Sequence, residues 1–420
     1  MGYRVKHFVN SLTGGTGVAA VRLHLGLVAK GVESFLHYRE GEKELKYATK
    51  DSRFAKRFNR LFENWIISRR WAMQTDGGGI FINQGWIYKT PLSHFGEYPD
   101  IVHLNLVHRW LDLKYFIESV PFEIPIVWSL HDLHPLTGGC THAIGCHRYE
   151  NACGNCPNLK EHGPKDQSYQ EFKIKRSLYK NRKITFVANS QWTYRKAMKS
   201  ALCSDPNTIS VIPLGVDAEK FRPIDKSVAK QALQIPENAF VLGFGCSDLS
   251  DPNKGMHILL DALSMSESNS NVYLLYFGSG HFDGSLEGIP NKGLGKLQSC
   301  ELQCLFYSAC ELFVVPSQIE SFCLTALESM ACGTPVLAFR TGGIPDLIEN
   351  QITGLLEDEI GSREGLAQKI TWGNNNPKIL QEMGVQARQV VEQKFTTAHY
   401  AEAYEKIYCR LLGEQLPPAT

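Results

Sequence analysis

The hydrophobic pattern of this chain alternates between short apolar runs and segments with helical periodicity. Residues 4–10 alternate and predict a first strand, and apolar runs predict further strands at residues 100–106, 124–132, 184–190, 240–246, 272–280 and 312–315. Helical periodicity follows several of these runs, for example at residues 18–30 and 322–332, and glycine or proline closes both helices. Because strands that alternate with helices form parallel sheets, we predict an α/β fold.

Length and charge narrow the class of protein. A chain of 420 residues exceeds one common hydrophobic core and predicts two domains of roughly 200 residues each. With 44 Lys and Arg against 43 Asp and Glu, the chain lacks the positive excess of a dedicated nucleic-acid binder, so we expect no nucleic acid as partner. No apolar stretch approaches the ~20 residues of a membrane helix, and we expect a cytoplasmic protein.

The stretch at residues 316–345 has the most specific chemistry. A strand runs into a loop with Glu320, and Glu328 lies eight positions further along, inside the next helix. The backbone amides at the start of that helix belong to Ser321, Phe322, Cys323 and Leu324. Such amides favour a phosphate, and carboxylates accept hydrogen bonds from sugar hydroxyls. The pattern favours a phosphate-bearing polyol as ligand, whereas a glutamate pair alone would indicate only a solvated helix surface.

The segment E-S-F-C-L-T-A-L-E, followed by S-M-A-C-G-T-P-V-L-A and T-G-G-I-P-D-L-I-E, resembles the E-x7-E signature of family 4 retaining glycosyltransferases. The resemblance implies the GT-B fold, with two doubly wound, Rossmann-like parallel-sheet domains that face a central cleft. It implies that Glu320 contacts hydroxyls of the donor sugar and that Glu328 contacts the nucleotide ribose. The amides of residues 321–324 would hold the sugar and the diphosphate.

The resemblance also places a catalytic cation and the domain boundaries. Lys254, beside Gly255, would face the diphosphate, although the arginine that the family usually has a few residues earlier is missing here. Residues 209–223 resemble the interdomain linker of the family. We therefore predict an acceptor-side domain at 1–215, a nucleotide-sugar-binding domain at 216–395, and a last helix at 396–413 that packs back on the first domain.

Two features of the first half are candidates for the same site. Gly14 and Gly15 follow the first strand and allow a ligand to approach the backbone, although a simple tight turn has the same pattern. His131 ends a predicted strand, where ligands of parallel sheets bind; the alternative is a hydrogen-bonded core histidine. The resemblance implies that the two glycines pack against the donor phosphates and the acceptor, and that His131 touches the donor sugar or the acceptor hydroxyl. His103 is the second candidate.

A cysteine-rich segment lies after His131. Cys140, Cys146, Cys153 and Cys156 fall within 17 residues, and four soft ligands at short spacing suit a tetrahedral, structural zinc ion. Free thiols, or one disulfide between Cys153 and Cys156, are the alternatives. This segment is similar to a subgroup of the family that is found in bacterial exopolysaccharide gene clusters.

Residues 51–75 combine aromatic side chains at helical spacing with Lys and Arg. A basic amphipathic helix of this type can lie on an anionic membrane, so residues 54–70 are a candidate for peripheral contact with the inner membrane face. The alternative is a helix that packs its aromatic stripe into its own domain.

The resemblance implies a hexosyltransferase that moves a sugar from a nucleotide-diphosphate sugar to a hydroxyl of a glycan or lipid-linked acceptor, with retention at the anomeric carbon, in polysaccharide biosynthesis. The chain has no D-x-D triplet, and we expect no cofactor for catalysis. A phosphorylase or an epimerase of the same fold is one alternative. A non-catalytic nucleotide-sugar sensor or assembly protein is another, favoured by the missing arginine near Lys254.

Overall fold

The computed structural model describes residues 2–42, 44–51, 81–82, 89–203, 205, 208–265, 271–282 and 287–413. The chain divides into two compact units, Met1–Pro213 with Ala401–Thr420, and Leu214–Tyr400. The candidate membrane segment at 54–70 lies outside the described residues. Along the described parts of the chain, none of the helices combines the length and the apolar character needed to cross a bilayer.

The first unit contains a parallel sheet of seven described strands in the order β3-β2-β1-β4-β5-β6-β7. Its strands are β1 (Arg4–Ser11), β2 (Glu33–Glu40), β3 (Ala48–Lys50), β4 (Ile101–Leu104), β5 (Ile126–Leu130), β6 (Ile184–Ala188) and β7 (Ile209–Val211). Its helices include α1 (Gly14–Ala29), α2 (Leu113–Glu118), α3 (Gln167–Asn181) and α4 (Gln191–Lys199). Every residue of β4, β5 and β6 is buried, as expected for parallel strands that are covered on both faces.

The second unit contains a parallel sheet of six described strands in the order β10-β9-β8-β11-β12-β13. These are β8 (Phe240–Asp248), β9 (Val272–Ser279), β10 (Asn291–Gly293), β11 (Leu312–Val315), β12 (Val336–Phe339) and β13 (Gly354–Glu357). The helices are α5 (Lys226–Ala232), α6 (Met256–Ser264), α7 (Cys300–Ala309), α8 (Leu324–Ala331), α9 (Arg363–Asn375) and α10 (Pro377–Lys394). A last helix, α11 (Thr397–Leu412), begins in this unit, and its residues from Ala401 onwards belong to the first unit.

Both sheets are doubly wound, which confirms the predicted fold class. In the first sheet β1 lies between β2 and β4, and in the second β8 lies between β9 and β11. In each sheet the order of strands along the chain therefore changes direction at this point. The loops that leave the two central strands at such a point separate and open a crevice at the carboxyl ends of the strands. Each unit therefore has one preferred position for a ligand.

The second part of α11 is fixed to the first sheet through a buried histidine. His103 on β4 is fully buried, and its Nδ1 and Nε2 form hydrogen bonds of 2.7 Å with the hydroxyls of Tyr408 and Ser129. Ser129 also hydrogen-bonds with the hydroxyl of Tyr404 on α11. His103, the second candidate from the sequence, is thus a core histidine with both ring nitrogens hydrogen-bonded. Its side chain lies on the face of the sheet that α11 covers.

Two further histidines lie in the core of the first unit. His7 on β1 and His37 on β2 are buried, and neither has a hydrogen-bond partner for its ring nitrogens among the described residues. Burial lowers the pKa of His37 to about 4, with Lys6 and His94 acting in the same direction and Asp51 opposing. Burial also places the pKa of His7 well below its ordinary value. Both rings are therefore neutral in the folded protein at pH 7.

The buried histidines predict acid sensitivity of the fold. Unfolded histidine takes up a proton below about pH 6.5, whereas folded His37 stays neutral down to about pH 4, so protonation favours the unfolded chain as pH falls through this window. Between pH 7.5 and pH 5, His37 alone should remove ~2 kcal/mol of unfolding free energy. Denaturant titrations at several pH values measure this loss.

The control is a variant without the titratable ring. His37→Phe keeps an aromatic ring against Phe8, whose ring centroid lies 5.3 Å from that of His37. This variant should lose less stability than the parent chain over the same pH range. Equal losses in both proteins would contradict the assignment to His37.

Candidate functional site

In the second unit, the structure brings together two of the predicted site residues from separate loops. Lys254, in the loop between β8 and α6, places its Nζ 2.7 Å from Oε1 of Glu320, in the loop between β11 and α8, although 66 positions separate them in sequence. Both side chains are largely buried, with exposed fractions of 29% and 13%. Burial opposes the charge of Lys254, but Glu320 outweighs it and raises the pKa of the ammonium. Lys254 therefore stays protonated well above neutral pH.

The backbone of Glu320 is held from the side of the T-G-G-I-P loop. The amide of Gly343 donates to the carbonyl oxygen of Glu320 at 2.9 Å. Gly342 has φ +56°, and a Cβ atom on it would lie 1.6 Å from the same carbonyl oxygen. Only glycine fits at this position, because a side chain would need both a left-handed backbone and space that Glu320 occupies.

The loop of Lys254 is held against the same strand end. The amide of Gln318 donates to the carbonyl oxygen of Asn253 at 2.9 Å. Gly255 has φ +76°, and a Cβ atom there would lie 2.0 Å from the carbonyl oxygen of Pro316. The loops after β8, β11 and β12 therefore meet at the carboxyl edge of the sheet, at the point where its winding reverses.

The start of α8 offers positive partial charge at this edge. Cys323 precedes the helix with φ +86° and ψ 87°, a left-handed conformation that costs energy for any residue but glycine. The amide of Ala326 donates to the Cys323 thiol, whereas the amides of Leu324 and Thr325 have no carbonyl partner within the helix. Phe322 and Cys323 are buried, whereas Ser321 and Leu324 are partly exposed. The segment Ser321–Leu324 thus forms a helix start that suits an anion.

Glu328 lies on α8 and is 5% exposed. The hydroxyl of Tyr307, on α7, donates to Oε2 of Glu328 at 3.1 Å. Burial and the Glu328 charge raise the pKa of Tyr307 well above its ordinary value, so the phenol remains a donor. Glu328 is therefore held in one orientation by a neighbouring helix.

In the first unit, the glycine loop becomes the first turn of α1. Gly14 and Gly15 are exposed at the start of the helix, which begins four residues earlier than the sequence predicts, and Gly14 has φ +76°. Thr13 makes no side-chain cap, so the first amides have no partner within the helix. Sequence reasoning missed Gly17, where a Cβ atom would lie 2.4 Å from the carbonyl oxygen of Ser11. Gly17 lets α1 approach the end of β1.

His131 follows β5 and pairs with a residue that sequence reasoning also missed. Its Nε2–H donates to Oδ1 of Asn105, which follows β4, at 3.0 Å. Burial lowers the pKa of His131 to about 4, so the ring is neutral at pH 7. Asn105 lies at the reversal point of the first sheet, and Nδ2 of its amide has no partner among the described residues. A polar residue that ends an apolar run was the signal for it.

His131 and Asn105 line a small cavity in the first unit. The other residues that line it are Leu106, Val107, His108, Leu111, Leu113, Trp128, Ser129, Asp132, His134 and Pro135. Burial raises the pKa of Asp132 to about 6 and lowers that of His108 to about 3, so the histidine is neutral at pH 7. Nδ1 of His108 has no hydrogen-bond partner among the described residues. The cavity therefore offers amide and imidazole groups that can bind hydroxyls.

The four cysteines near His131 are those for which the sequence predicts a structural zinc ion. Among the described residues, no three His, Cys, Asp or Glu side chains are arranged to hold a metal ion. The thiol of Cys140 donates to Cys156 and accepts from the amide of Asn158, while Cys153 accepts from the backbone of Gly138. The hydrogen bond with Cys156 and burial raise the pKa of Cys140, and Cys153 and Cys146 also lie close enough for their charges to raise it. The alternative disulfide between Cys153 and Cys156 is not formed.

The fold and this site define a class of protein. A sucrose-phosphate synthase from Thermosynechococcus elongatus has a similar structure, with a TM-score of 0.69 at 17% identity over 98% of this chain and 99% of that one. Anabaena HepE in complex with UDP and glucose gives a TM-score of 0.64 at 17% identity, over 97% of this chain and all of that one. The two doubly wound units are those of the GT-B glycosyltransferase fold.

Sequence comparisons identify the second unit more closely. Residues 246–390, which include Lys254, Glu320 and Glu328, match the family Glycosyl transferases group 1. A D-inositol 3-phosphate glycosyltransferase from Segniliparus rotundus is 36% identical over 167 residues, which are 37% of each chain. A lipopolysaccharide 1,2-N-acetylglucosaminetransferase from Salmonella typhimurium is 28% identical over 47% of this chain and 55% of that protein. The similarity thus spans between about a third and about a half of these relatives.

The contact at Gly342 gives a prediction with a matched control. Gly342→Ala should lower the unfolding free energy by clearly more than Gly361→Ala. Both glycines have positive φ, but a Cβ atom on Gly361 meets nothing within 4 Å, so that variant should lose only the ~1–2 kcal/mol of a left-handed non-glycine residue. Denaturant titration measures the difference. Equal losses would show that the loop does not press on Glu320.

Proposed function

We propose that this chain is a retaining glycosyltransferase that moves a sugar from a nucleotide-diphosphate sugar to a hydroxyl of a glycan or lipid-linked acceptor in polysaccharide biosynthesis. The observation that carries the proposal is the ion pair of Lys254 and Glu320, 2.7 Å apart at the reversal point of the second sheet and next to the start of α8. This combination lies within the segment that matches the glycosyltransferase family. It offers a cation and amides for phosphate together with carboxylates for hydroxyls.

The donor would bind to the second unit, residues 216–395 in the predicted division. Lys254 and the amides of residues 321–324 would contact the diphosphate. Glu320 would accept hydrogen bonds from hydroxyls of the sugar, and it can do so while paired with Lys254, because a carboxylate has about four acceptor positions. Glu328, held by Tyr307, would accept from the ribose.

The chemistry would depend on the leaving group. No enzymic nucleophile stands out in the sequence, and a diphosphate becomes more negative as its bond to the anomeric carbon breaks. Lys254 and the helix-start amides are already in place to stabilise that charge, and preorganised donors of this kind are among the larger contributions to catalysis. The step needs no group beyond the residues of this chain.

The acceptor would bind to the first unit, residues 1–215 with the helix at 396–413. His131 and Asn105 line a cavity whose histidines are neutral, and neutral donors and acceptors suit a hydroxyl better than a phosphate. Gly14 and Gly15, at the exposed start of α1, would allow the donor phosphates and the acceptor to approach the backbone. The names of the relatives, which concern an inositol phosphate and a lipopolysaccharide, fit a polyhydroxylated acceptor.

The donor site predicts which variants lose activity. Glu328→Ala and Lys254→Ala should each lower turnover by roughly 10²-fold or more, the scale of losing one preorganised donor. Lys369→Ala is the control, because Lys369 and Glu357 form an ion pair of the same 2.7 Å length with exposed fractions of 30% and 12%. Release of nucleoside diphosphate from a panel of nucleotide sugars, with and without acceptor, measures turnover.

The activity measurements with the panel of nucleotide sugars also distinguish an enzyme from a non-catalytic sensor. Full rates in both site variants would remove the assignment of Lys254 and Glu328. Binding of a nucleotide sugar by the parent chain without any turnover would favour a non-catalytic sensor.

If the acceptor is lipid-linked, the basic and aromatic residues at 54–70 would contact the inner face of the membrane. Co-sedimentation with vesicles that contain anionic lipid should be strong for the parent chain and weaker for Trp65→Ala and Arg69→Glu, since each variant removes one part of the interfacial attraction. Vesicles of neutral lipid are the control for the charge contribution. Equal sedimentation of all three proteins would contradict the contact.

A further inference from the structure

Three thiols meet in the second unit where α7 faces the end of α8. Cys300 and Cys304 lie on α7, and Cys332 directly follows α8. The sulfur of Cys304 accepts hydrogen bonds from the thiols of Cys300 and Cys332, while its own S–H donates to the carbonyl oxygen of Lys220 at 3.2 Å. None of the three is disulfide-bonded.

This thiol cluster, Cys300, Cys304 and Cys332, adjoins Glu328. The amide of Cys332 donates to the carbonyl oxygen of Glu328 at 3.1 Å. The Glu328 carboxylate is close enough to Cys300 and Cys332 to raise the pKa of both thiols, in addition to their hydrogen bonds with Cys304 and their burial. Tyr307, which holds the carboxylate, lies three positions after Cys304 on α7. The thiol cluster and the Glu328 carboxylate therefore lie in the same contact between α7 and α8.

The cluster has the arrangement of a reactive thiol with a neighbouring partner. Hydrogen bonds from two thiols, with help from the backbone and charge of Arg222, lower the pKa of Cys304, and a thiolate is the reactive form of cysteine. Cys304 and Cys332 are 3% and 2% exposed, whereas Cys300 is partly exposed on the first turn of α7. Cys300 thus marks the side from which a small oxidant approaches.

Helix geometry decides which thiols can join. Cys300 and Cys304 are four positions apart on α7, where Cβ atoms are about 5–6 Å apart, and a disulfide needs about 3.5–4.5 Å. Bridging them would distort the helix. Cys332 lies on a separate element and is not subject to this spacing, so it is the better partner for Cys304.

We propose that Cys304 and Cys332 form a peroxide-sensitive pair that closes to a disulfide beside Glu328 and weakens binding of the nucleotide donor. The Cys304 thiolate attacks one oxygen of hydrogen peroxide, the O–O bond breaks, and hydroxide leaves, which gives a sulfenic acid. The thiol of Cys332 then attacks this sulfur, the S–O bond breaks, and its proton and the hydroxide leave as water. In sum, two thiols and one peroxide give one disulfide and two waters.

The disulfide shortens the contact between the two sulfurs to about 2.0 Å. Because the amide of Cys332 bonds to the carbonyl oxygen of Glu328, this movement displaces the last turn of α8 relative to α7. The hydrogen bond between Tyr307 and Glu328 joins the same two helices and is disturbed. Loss of donor affinity follows if Glu328 contacts the ribose, so this second part of the proposal rests on the proposed function.

Peptide mapping of the whole chain tests the first part. After treatment with hydrogen peroxide and alkylation of the remaining thiols, a peptide pair that joins Cys304 to Cys332 should appear, and dithiothreitol should reverse it. Cys310→Ser is the matched control, because Cys310 is a buried cysteine at the end of the same helix whose thiol bonds to the carbonyl oxygen of Phe306. The control should form the pair, and Cys332→Ser should not. Absence of this disulfide from the oxidised parent chain would overturn the proposal, whether or not either variant folds.

Affinity for UDP, ADP and GDP tests the second part. Oxidation should weaken binding of the preferred nucleotide by at least about fivefold in the parent chain and in Cys310→Ser, and dithiothreitol should restore it. Cys332→Ser should bind equally before and after peroxide. An oxidised parent with the disulfide and unchanged affinity would overturn the link to Glu328. A reduced parent that binds none of these nucleotides would overturn that link together with the proposed function, and the mapping would still decide the thiol pair.

Discussion

The ion pair between Lys254 and Glu320 is the interaction on which the second unit's site depends. Removing two charges from water costs several kcal/mol per ion unless each finds a partner in good geometry. The two side chains come from loops that follow β8 and β11, so their contact needs both loops to hold their backbone within a fraction of an ångström. Gly255 and Gly342 provide this, because each lies against the carbonyl oxygen of a neighbouring loop where a side chain would not fit.

The two units have the same sheet topology but different polar groups at the point where the winding reverses. Each sheet reverses its winding between a central pair of strands, and each places polar groups there: Asn105 after β4 in one, Glu320 after β11 in the other. In the first unit burial removes charge, since it lowers the pKa of His131 and His108 to about 4 and about 3. In the second unit pairing preserves charge on Lys254. A neutral lining suits hydroxyls, and a preserved cation suits a diphosphate, so electrostatics rather than topology supports the proposed division of roles between the units.

The sequence predicted those parts of the fold that depend on local pattern. The apolar run at 312–315 became β11, and the periodic segment that follows became α8, because burial on both faces and helical periodicity are local properties. β2 was not predicted, since its sequence E-S-F-L-H-Y-R-E mixes polar and apolar residues, and the structure buries its histidine and arginine all the same. No local sequence pattern predicts the burial of these polar side chains.

Contacts between distant parts of the chain could not be predicted from the sequence either, because they depend on which loops and strands the fold brings together. Lys254 and Glu320 were both candidates, but nothing in the spacing showed that they pair. Asn105 has its role only through His131, which β5 brings next to it. The cysteine spacing likewise predicted zinc, but among the described residues no three potential ligands are arranged to hold a metal ion.

Cys323 holds the backbone at the start of α8, in the proposed donor site, in one conformation. Its left-handed backbone is unfavourable for a residue with a side chain and persists only where the surroundings over-determine it. The buried neighbour Phe322 fixes one side, and on the other the amide of Ala326 donates to the Cys323 thiol. If an anion binds at the start of α8, its amides would need no reordering, and the free energy of ordering a loop would be removed from the cost of association.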